Sequence, residues 1–231
     1  MYTNLSPEVL QILKECKENQ TAELDLQECG LDSIPKEIRT YFWITRLYLH
    51  DNEITQVENL DKLPRLETLV LDNNQINRIE NLDKLPNLTW LGLSSNQIRQ
   101  IENLDKLPKL DMLDLHDNEI NRIENLDKLP NLKMLDLHDN KITQIENLDK
   151  LPRLAWLGLA YNQITKIEHL HKLPNLTRLD LAYNKIAQIE NLGKLPILTR
   201  LDLSFNQIVK LENLDKLLNL RKLDLASNQI I

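Results

Sequence analysis

A phrase of 22 residues recurs along almost the whole chain, and no other feature of the sequence restricts the fold as much. In one copy it runs Leu88, Leu91, Leu93, Asn96, Ile98, Ile101, Leu104, Leu107, Leu110. Its asparagine returns at Asn52, Asn74, Asn96, Asn118, Asn140, Asn162, Asn184, Asn206 and Asn228. A unit this short cannot bury an apolar face alone, whereas stacked copies can, so a fixed period of this length predicts a solenoid. Each turn then touches only its neighbours, and the array offers an extended surface rather than an enclosed pocket.

Within each Leu-x-Leu segment the leucines point into the coil and the middle residue points out, as side chains of a strand alternate. The segments run from Leu24–Leu26 through Leu47–Leu49 to Leu223–Leu225, which predicts ten parallel strands. At about 4.8 Å per strand the sheet is about 45 Å long. The asparagine after each strand is expected to form a buried ladder, satisfying backbone groups of its own turn and the next. A second asparagine (Asn59, Asn81, Asn103, Asn125, Asn147, Asn191, Asn213) is expected to cap a short helical turn of the Leu-Asp-Lys-Leu type. A proline then ends the turn. The expectation is an α/β, right-handed horseshoe with the sheet on the concave face and short helical turns on the convex face.

Residues 1–22 read as an N-terminal capping helix and 23–231 as the solenoid. Ser6, Pro7 and Glu8 give an N-cap, a first-turn proline and an early acid, followed by Val9, Ile12, Leu13 and Cys16 at helical spacing. The first repeat is one residue longer and carries Cys29 where later turns carry asparagine. At the other end Leu217-Leu218 replaces Leu-Pro, and Leu223, Leu225, Ile230 and Ile231 are expected to be partly uncovered. Solenoids normally cover such an end. The expectation is therefore either the front part of a longer chain or end-to-end self-association.

The net charge of −7 argues against nucleic acid or an anionic membrane as partner, because phosphate binding needs Lys and Arg clustered on one face. Lys62, Lys84, Lys106, Lys128 and Lys150 each stand beside an aspartate, a solvated and charge-balanced stripe. No apolar run is long enough to span a bilayer, and the first fifteen residues lack the pattern of a signal peptide. With only Cys16 and Cys29, both expected to be reduced, a cytoplasmic location is expected.

The outward columns are where the turns differ. Trp90, Met112, Met134 and Trp156 stand side by side in the column before the middle residue, while the core side of each strand is already filled by leucine. A contiguous stripe of exposed Trp and Met marks a contact surface. Gly92 and Gly158 are expected to leave room for a tryptophan ring or for a partner. The middle column places Asp114, Asp136, Asp180, Asp202 and Asp224 in an acidic row, which Arg178 and Arg200 are expected to offset by local pairing. Further out come His116 and His138, then Tyr161, Tyr183 and Phe205. The partner-binding set is thus Trp90, Met112, Met134, Trp156, Asp114, Asp136, His116, His138, Tyr161, Tyr183 and Phe205. It suits a protein with a basic rim around an apolar patch.

His116 and His138, with Asp114 and Asp136, are residue types that bind metals. The site would be open and flat, so no metal is expected. No nucleophile has a base and an orienting acid at a suitable spacing, and there is no phosphate-cradling glycine loop. Neither an enzyme nor a cofactor is expected.

The phrase Asn-x-Ile-x-x-Ile-Glu-Asn-Leu-x-x-Leu, as in Asn118 to Leu129, resembles the 22-residue class of leucine-rich repeats typified by protein phosphatase 1 regulatory subunit 7. The resemblance covers about residues 44 to 231. The opening, Thr21 to Leu26, is more like cytoplasmic bacterial leucine-rich-repeat proteins. Bacterial internalins are similar too, with a different phrase in place of Ile-Glu-Asn-Leu. The resemblance implies a protein-binding module, with a phosphatase or another intracellular protein as partner, and concave aromatic and acidic contacts of the type of Trp90, Trp156, Asp114 and Asp136. Two alternatives remain open: a bacterial surface or effector protein that binds a host receptor, and an engineered consensus scaffold without a natural ligand.

Overall fold

The computed structural model describes residues 5–231, so the first four residues of the capping segment lie outside the described part. Helix α1 (Pro7–Asn19) is followed by β1 (Glu23–Asp25), β2 (Arg46–Tyr48), β3 (Thr68–Val70), β4 (Trp90–Gly92), β5 (Met112–Asp114), β6 (Met134–Asp136), β7 (Trp156–Gly158), β8 (Arg178–Asp180), β9 (Arg200–Asp202) and β10 (Lys222–Asp224). They form one parallel ten-stranded sheet in sequence order. Leu24 lies opposite Leu47, and from there the partners are 22 residues apart, as Leu47 and Leu69. Each strand begins one residue before its Leu-x-Leu segment. The second leucine lies just beyond it, though its N–H still reaches the next turn, as Leu49 does to the Val70 carbonyl at 2.8 Å.

Behind the sheet, leucines and isoleucines of every turn merge into one continuous core, with Leu135, Leu137, Ile142, Ile145 and Leu148 fully buried in a single turn. Fully burying each such side chain contributes about 1.5–3 kcal/mol of gross transfer free energy. Helix α1 seals the N-terminal end with Val9, Leu13 and Cys16. The Ser6 hydroxyl accepts the Val9 N–H at 3.2 Å, and the Tyr41 hydroxyl donates to the Leu13 carbonyl at 2.8 Å. At the opposite end Leu218, Leu223, Ile230 and Ile231 are exposed.

The asparagine ladder is buried, as its position predicts. In one rung, Asn140 Nδ2 donates to the carbonyls of Leu137 and His138 in its own turn and of Leu115 in the turn before. Its Oδ1 accepts the Ile120 N–H at 2.9 Å. The ladder therefore ties each turn to the preceding one, not to the next. Cys29 has no amide to offer, and its own N–H is taken by Asn52 Oδ1 at 3.1 Å.

The second asparagine does not cap a helix with its side chain, even at Asn191, which directly precedes the short 3₁₀ helix Leu192–Lys194. It sits in the left-handed region, with φ of 58° at Asn81 and Asn147, whereas an N-cap residue is extended. Its Nδ2 donates to a carbonyl one turn back, as Asn147 does to Ile123 at 2.8 Å. Asparagine suits the place because it tolerates positive φ and carries a donor. The Leu-Asp-Lys-Leu segments accordingly form tight turns, with Leu85 N–H bonded to the Leu82 carbonyl at 3.0 Å. Among the described residues only Lys36–Thr40 and Leu192–Lys194 wind further, into short 3₁₀ helices.

Candidate functional site

The sheet register brings the expected stripe together. Trp90 faces Met112, Met112 faces Met134, and Met134 faces Trp156 on β4 to β7. Trp90 is 37% exposed and the other three are half-buried, so the stripe is neither core nor freely solvated.

Beside it lies a network of carboxylates and imidazoles. His116 Nδ1 is 2.8 Å from Asp114 Oδ1. Burial alone would depress the His116 pKa, but this bond and the charges of Asp114, Asp136 and Asp72 raise it above its ordinary value. His138 bonds Asp136 through Nδ1 and Asp180, two strands further on, through Nε2 at 3.2 Å. Burial works against its charge too, yet the two carboxylates outweigh this and push its pKa up to about 9. The ring stacks on Trp156 with centroids 5.7 Å apart, a geometry in which an imidazolium is drawn to the indole face. Asp180 is lowered in turn: burial would raise it, but His138 and the Ala182 N–H prevail. Asp72 is raised by burial, although the Ser94 N–H at 2.8 Å moderates this.

The two glycines are filled differently from the expectation. The space over Gly92 is taken by the Asp72 carboxylate and that over Gly158 by the His138 imidazole, not by a tryptophan ring or an open cleft for a partner. Each glycine lets a polar side chain from just beyond the preceding strand fold across its own strand. Nor do Arg178 and Arg200 offset the acidic row, since neither forms an ion pair among the described residues. The row's ring partners are the histidines, His116 at Asp114 and His138 at Asp136 and Asp180.

Tyr161, Tyr183 and Phe205 stack in a row with centroids 4.0 Å apart. They are 49%, 37% and 44% exposed. All three have φ between 52° and 53°, at the position where other turns use Asp51, Asn73, Ser95, Asp117 or Asp139. Those small polar residues tolerate the left-handed region, whereas a bulky aromatic there is strained and marks a candidate functional position.

The structure thus brings together Trp90, Met112, Met134 and Trp156 in one register, pairs His116 with Asp114 and His138 with Asp136, and sets Tyr161, Tyr183 and Phe205 in a stack of their own. Asp114, His116 and Asp136 each have a donor atom within 4.8 Å of the others, the grouping that residue type alone singles out as metal-binding in character. Sequence reasoning missed Asp72 and the Asp180–His138 bond; the recurring Asp in the middle column was the available signal, but the glycine gaps that connect them are informative only in three dimensions. It also passed over a cavity of about 170 Å³ at the C-terminal end of the face, lined by Trp156, Arg178, Arg200, Lys222, Asp180 and Asp202.

Family profiles match nearly the whole chain. "Leucine-rich repeat" matches residues 4–113, "Leucine Rich repeats (2 copies)" matches 108–150 and 152–194, and "Leucine rich repeat" matches 174–230. No curated protein sequence matches the chain. Among solved structures, a leucine-rich-repeat protein of Leptospira interrogans is similar with a TM-score of 0.85 and 30% identity, over 90% of this chain and 55% of that one. This chain therefore spans about half the length of that relative. An internalin (inlF) of Listeria monocytogenes is similar with a TM-score of 0.78 and 25% identity, over 96% of this chain and 74% of that one. TLR13, in its complex with ssRNA13, gives 0.83 and 27%, over 94% of this chain and 34% of that one. No helix among the described residues is long and apolar enough to cross a membrane.

Proposed function

Because this chain belongs to the leucine-rich-repeat family, we propose that it is a protein–protein interaction module that binds its partner through the outward columns of its sheet. The observation that carries this reading is the in-register stripe of Trp90, Met112, Met134 and Trp156, flanked by the Asp114–His116–Asp136–His138 network. Aromatic and methionine side chains at the centre of a face, with charged groups beside them, have the composition of a binding hot spot. The partner presents an apolar patch to the stripe and Lys or Arg to the acidic groups.

The phosphatase-regulator reading rests on the Asn118 to Leu129 phrase, and an intracellular location on the free cysteines Cys16 and Cys29. A second reading, a bacterial surface or effector protein that binds a host receptor, is favoured by the similarity to the Leptospira and Listeria structures.

The test is affinity capture from the source lysate with wild type and with Trp90→Ala/Trp156→Ala, followed by binding measurements on the captured protein. Trp156→Ala is expected to weaken binding by about 2 kcal/mol or more, and Lys106→Ala, on the opposite side, by almost nothing. Equal losses from the two changes would show that the sheet face is not the contact surface.

A further inference from the structure

The column that supplies Trp90, Met112, Met134 and Trp156 changes character at its C-terminal end, where it places Arg178, Arg200 and Lys222 on β8, β9 and β10. Arg178 is directly opposite Arg200, and Arg200 directly opposite Lys222. Like charges facing each other on neighbouring strands destabilise a sheet. Elsewhere this chain pairs cations with a carboxylate one turn away: Arg46 with Glu23 at 2.9 Å, Arg78 with Glu102 at 3.0 Å, Lys133 with Asp111 at 2.8 Å and Lys172 with Asp149 at 2.6 Å. Among the described residues no such bridge reaches the three cations of the row.

Carboxylates are close by, Asp180 and Asp202 in the same cavity lining, but the bonds they make go to other groups. Asp180 takes His138 Nε2 at 3.2 Å and the Ala182 N–H at 3.1 Å. Asp202 Oδ1 takes the Ser204 N–H at 3.0 Å and its hydroxyl at 2.7 Å. Asp224 Oδ1 takes the Ala226 N–H at 3.1 Å. The three cations outnumber the two carboxylates, Asp180 and Asp202, in the lining of the cavity of about 170 Å³, which Trp156 also lines. A local rule of sheet pairing is broken here with no ion pair among the described residues to offset it, only the longer-range attraction between Lys222 and Asp180. Such a break is expected where a surface is built for something else.

We propose that this cavity is an anion-binding subsite that takes the carboxylates of an acidic segment of a partner protein, with an apolar side chain of the same segment against Trp156. The guanidinium forks of Arg178 and Arg200 match a carboxylate in geometry, and Lys222 adds a point charge beside them. The inference rests on the sheet face being the binding face and gives that face a polarity. The partner is basic where it meets Asp114 and Asp136 and acidic where it meets the cationic row.

The experiment titrates the full chain with two synthetic peptides, acetyl-Phe-Glu-Asp-Glu-amide and acetyl-Phe-Gln-Asn-Gln-amide, and follows tryptophan fluorescence and heat at low and physiological salt. The acidic peptide is expected to bind about tenfold or more tightly than its neutral counterpart, and less so as salt rises, because charge-assisted bonds carry the difference. Arg178→Ala/Arg200→Ala is expected to remove that preference, and Lys194→Ala/Lys216→Ala on the opposite side to keep it. If the first variant does not fold, Arg178→Gln/Lys222→Gln takes its place. Equal affinity for the two peptides, or an undiminished preference in the arginine variants, would overturn the proposal. Trp90→Ala/Met112→Ala separates this result from the broader reading: it weakens the whole partner while leaving the peptide preference intact, so either can fail without the other.

Discussion

The imidazole of His138 occupies the space that a side chain on Gly158 would fill: a Cβ at Gly158 would lie 2.5 Å from His138 Nδ1. Through that gap the ring crosses β7 and joins Asp136 on β6 to Asp180 on β8. One missing side chain connects three strands through a single polar clip.

Gly158→Ala should therefore displace His138 and break its bond to Asp180. The expected loss is about 1–3 kcal/mol, the usual cost of forcing extra volume into a packed site. Urea unfolding measures it, and NMR titration of the His138 ring should show its pKa falling toward the ordinary histidine range. A variant with wild-type stability and an unchanged His138 titration would show that the ring has another way to lie.

The same clip should give the fold a defined pH response. The His138 pKa is raised from 6.5 to about 9, so its contribution is complete below about pH 6.5 and is lost as the pH rises through 9. The Asp180 pKa is lowered, so its share is present above the ordinary carboxylate range and is lost on acidification. With the ring partly exposed, the stability advantage of wild type over His138→Gln should shrink by on the order of 2 kcal/mol between pH 6 and pH 10. Parallel denaturant curves at the two pH values provide the check, and an advantage that grows with pH would contradict the assignment.

Asn140→Ala should destabilise by about 1–3 kcal/mol, because it orphans the buried Ile120 N–H and takes one of two donors from each of the Leu115, Leu137 and His138 carbonyls, which keep Asn118 Nδ2, Asn162 Nδ2 and the Asp117 N–H. Asn228→Ala removes similar bonds, but at the more exposed last rung, where water can replace them. It should cost less. Thermal melts of the two variants rank them, and the reverse order would mean that burial is not what makes the ladder matter.

Tyr183→Asn sets two effects against each other. It removes two ring stacks of about 0.5–1.5 kcal/mol each, and it relieves a left-handed strain of about 1–3 kcal/mol. Stability should stay within about 1 kcal/mol of wild type while partner binding weakens, as expected if the ring is kept for its exposed surface. A drop beyond about 3 kcal/mol in chemical denaturation would make the stack structural instead.

The repeat period alone carried the architecture. Ten parallel strands, the buried ladder at Asn140 and its counterparts and the alignment of Trp90 with Trp156 all follow from 22-residue spacing, because each turn repeats the same short-range contacts with its neighbour, while the Ser6-capped helix follows from its own local capping signal. The second asparagine was misread for a local reason. Its composition is equally good for a helix cap and for a left-handed turn, and what decides between them is the Ile123 carbonyl one turn away, within reach of Asn147 Nδ2. The outward network was out of reach for a different reason. His138 meets Asp180 across 42 residues because Gly158 has no side chain, and Arg178 and Arg200 form no ion pair among the described residues although Asp180 and Asp202 line the same cavity. A periodic pattern sets which residues share a face, but competition among neighbouring polar groups for partners is settled only when side chains share the same few ångströms, and that is a property of the folded stack.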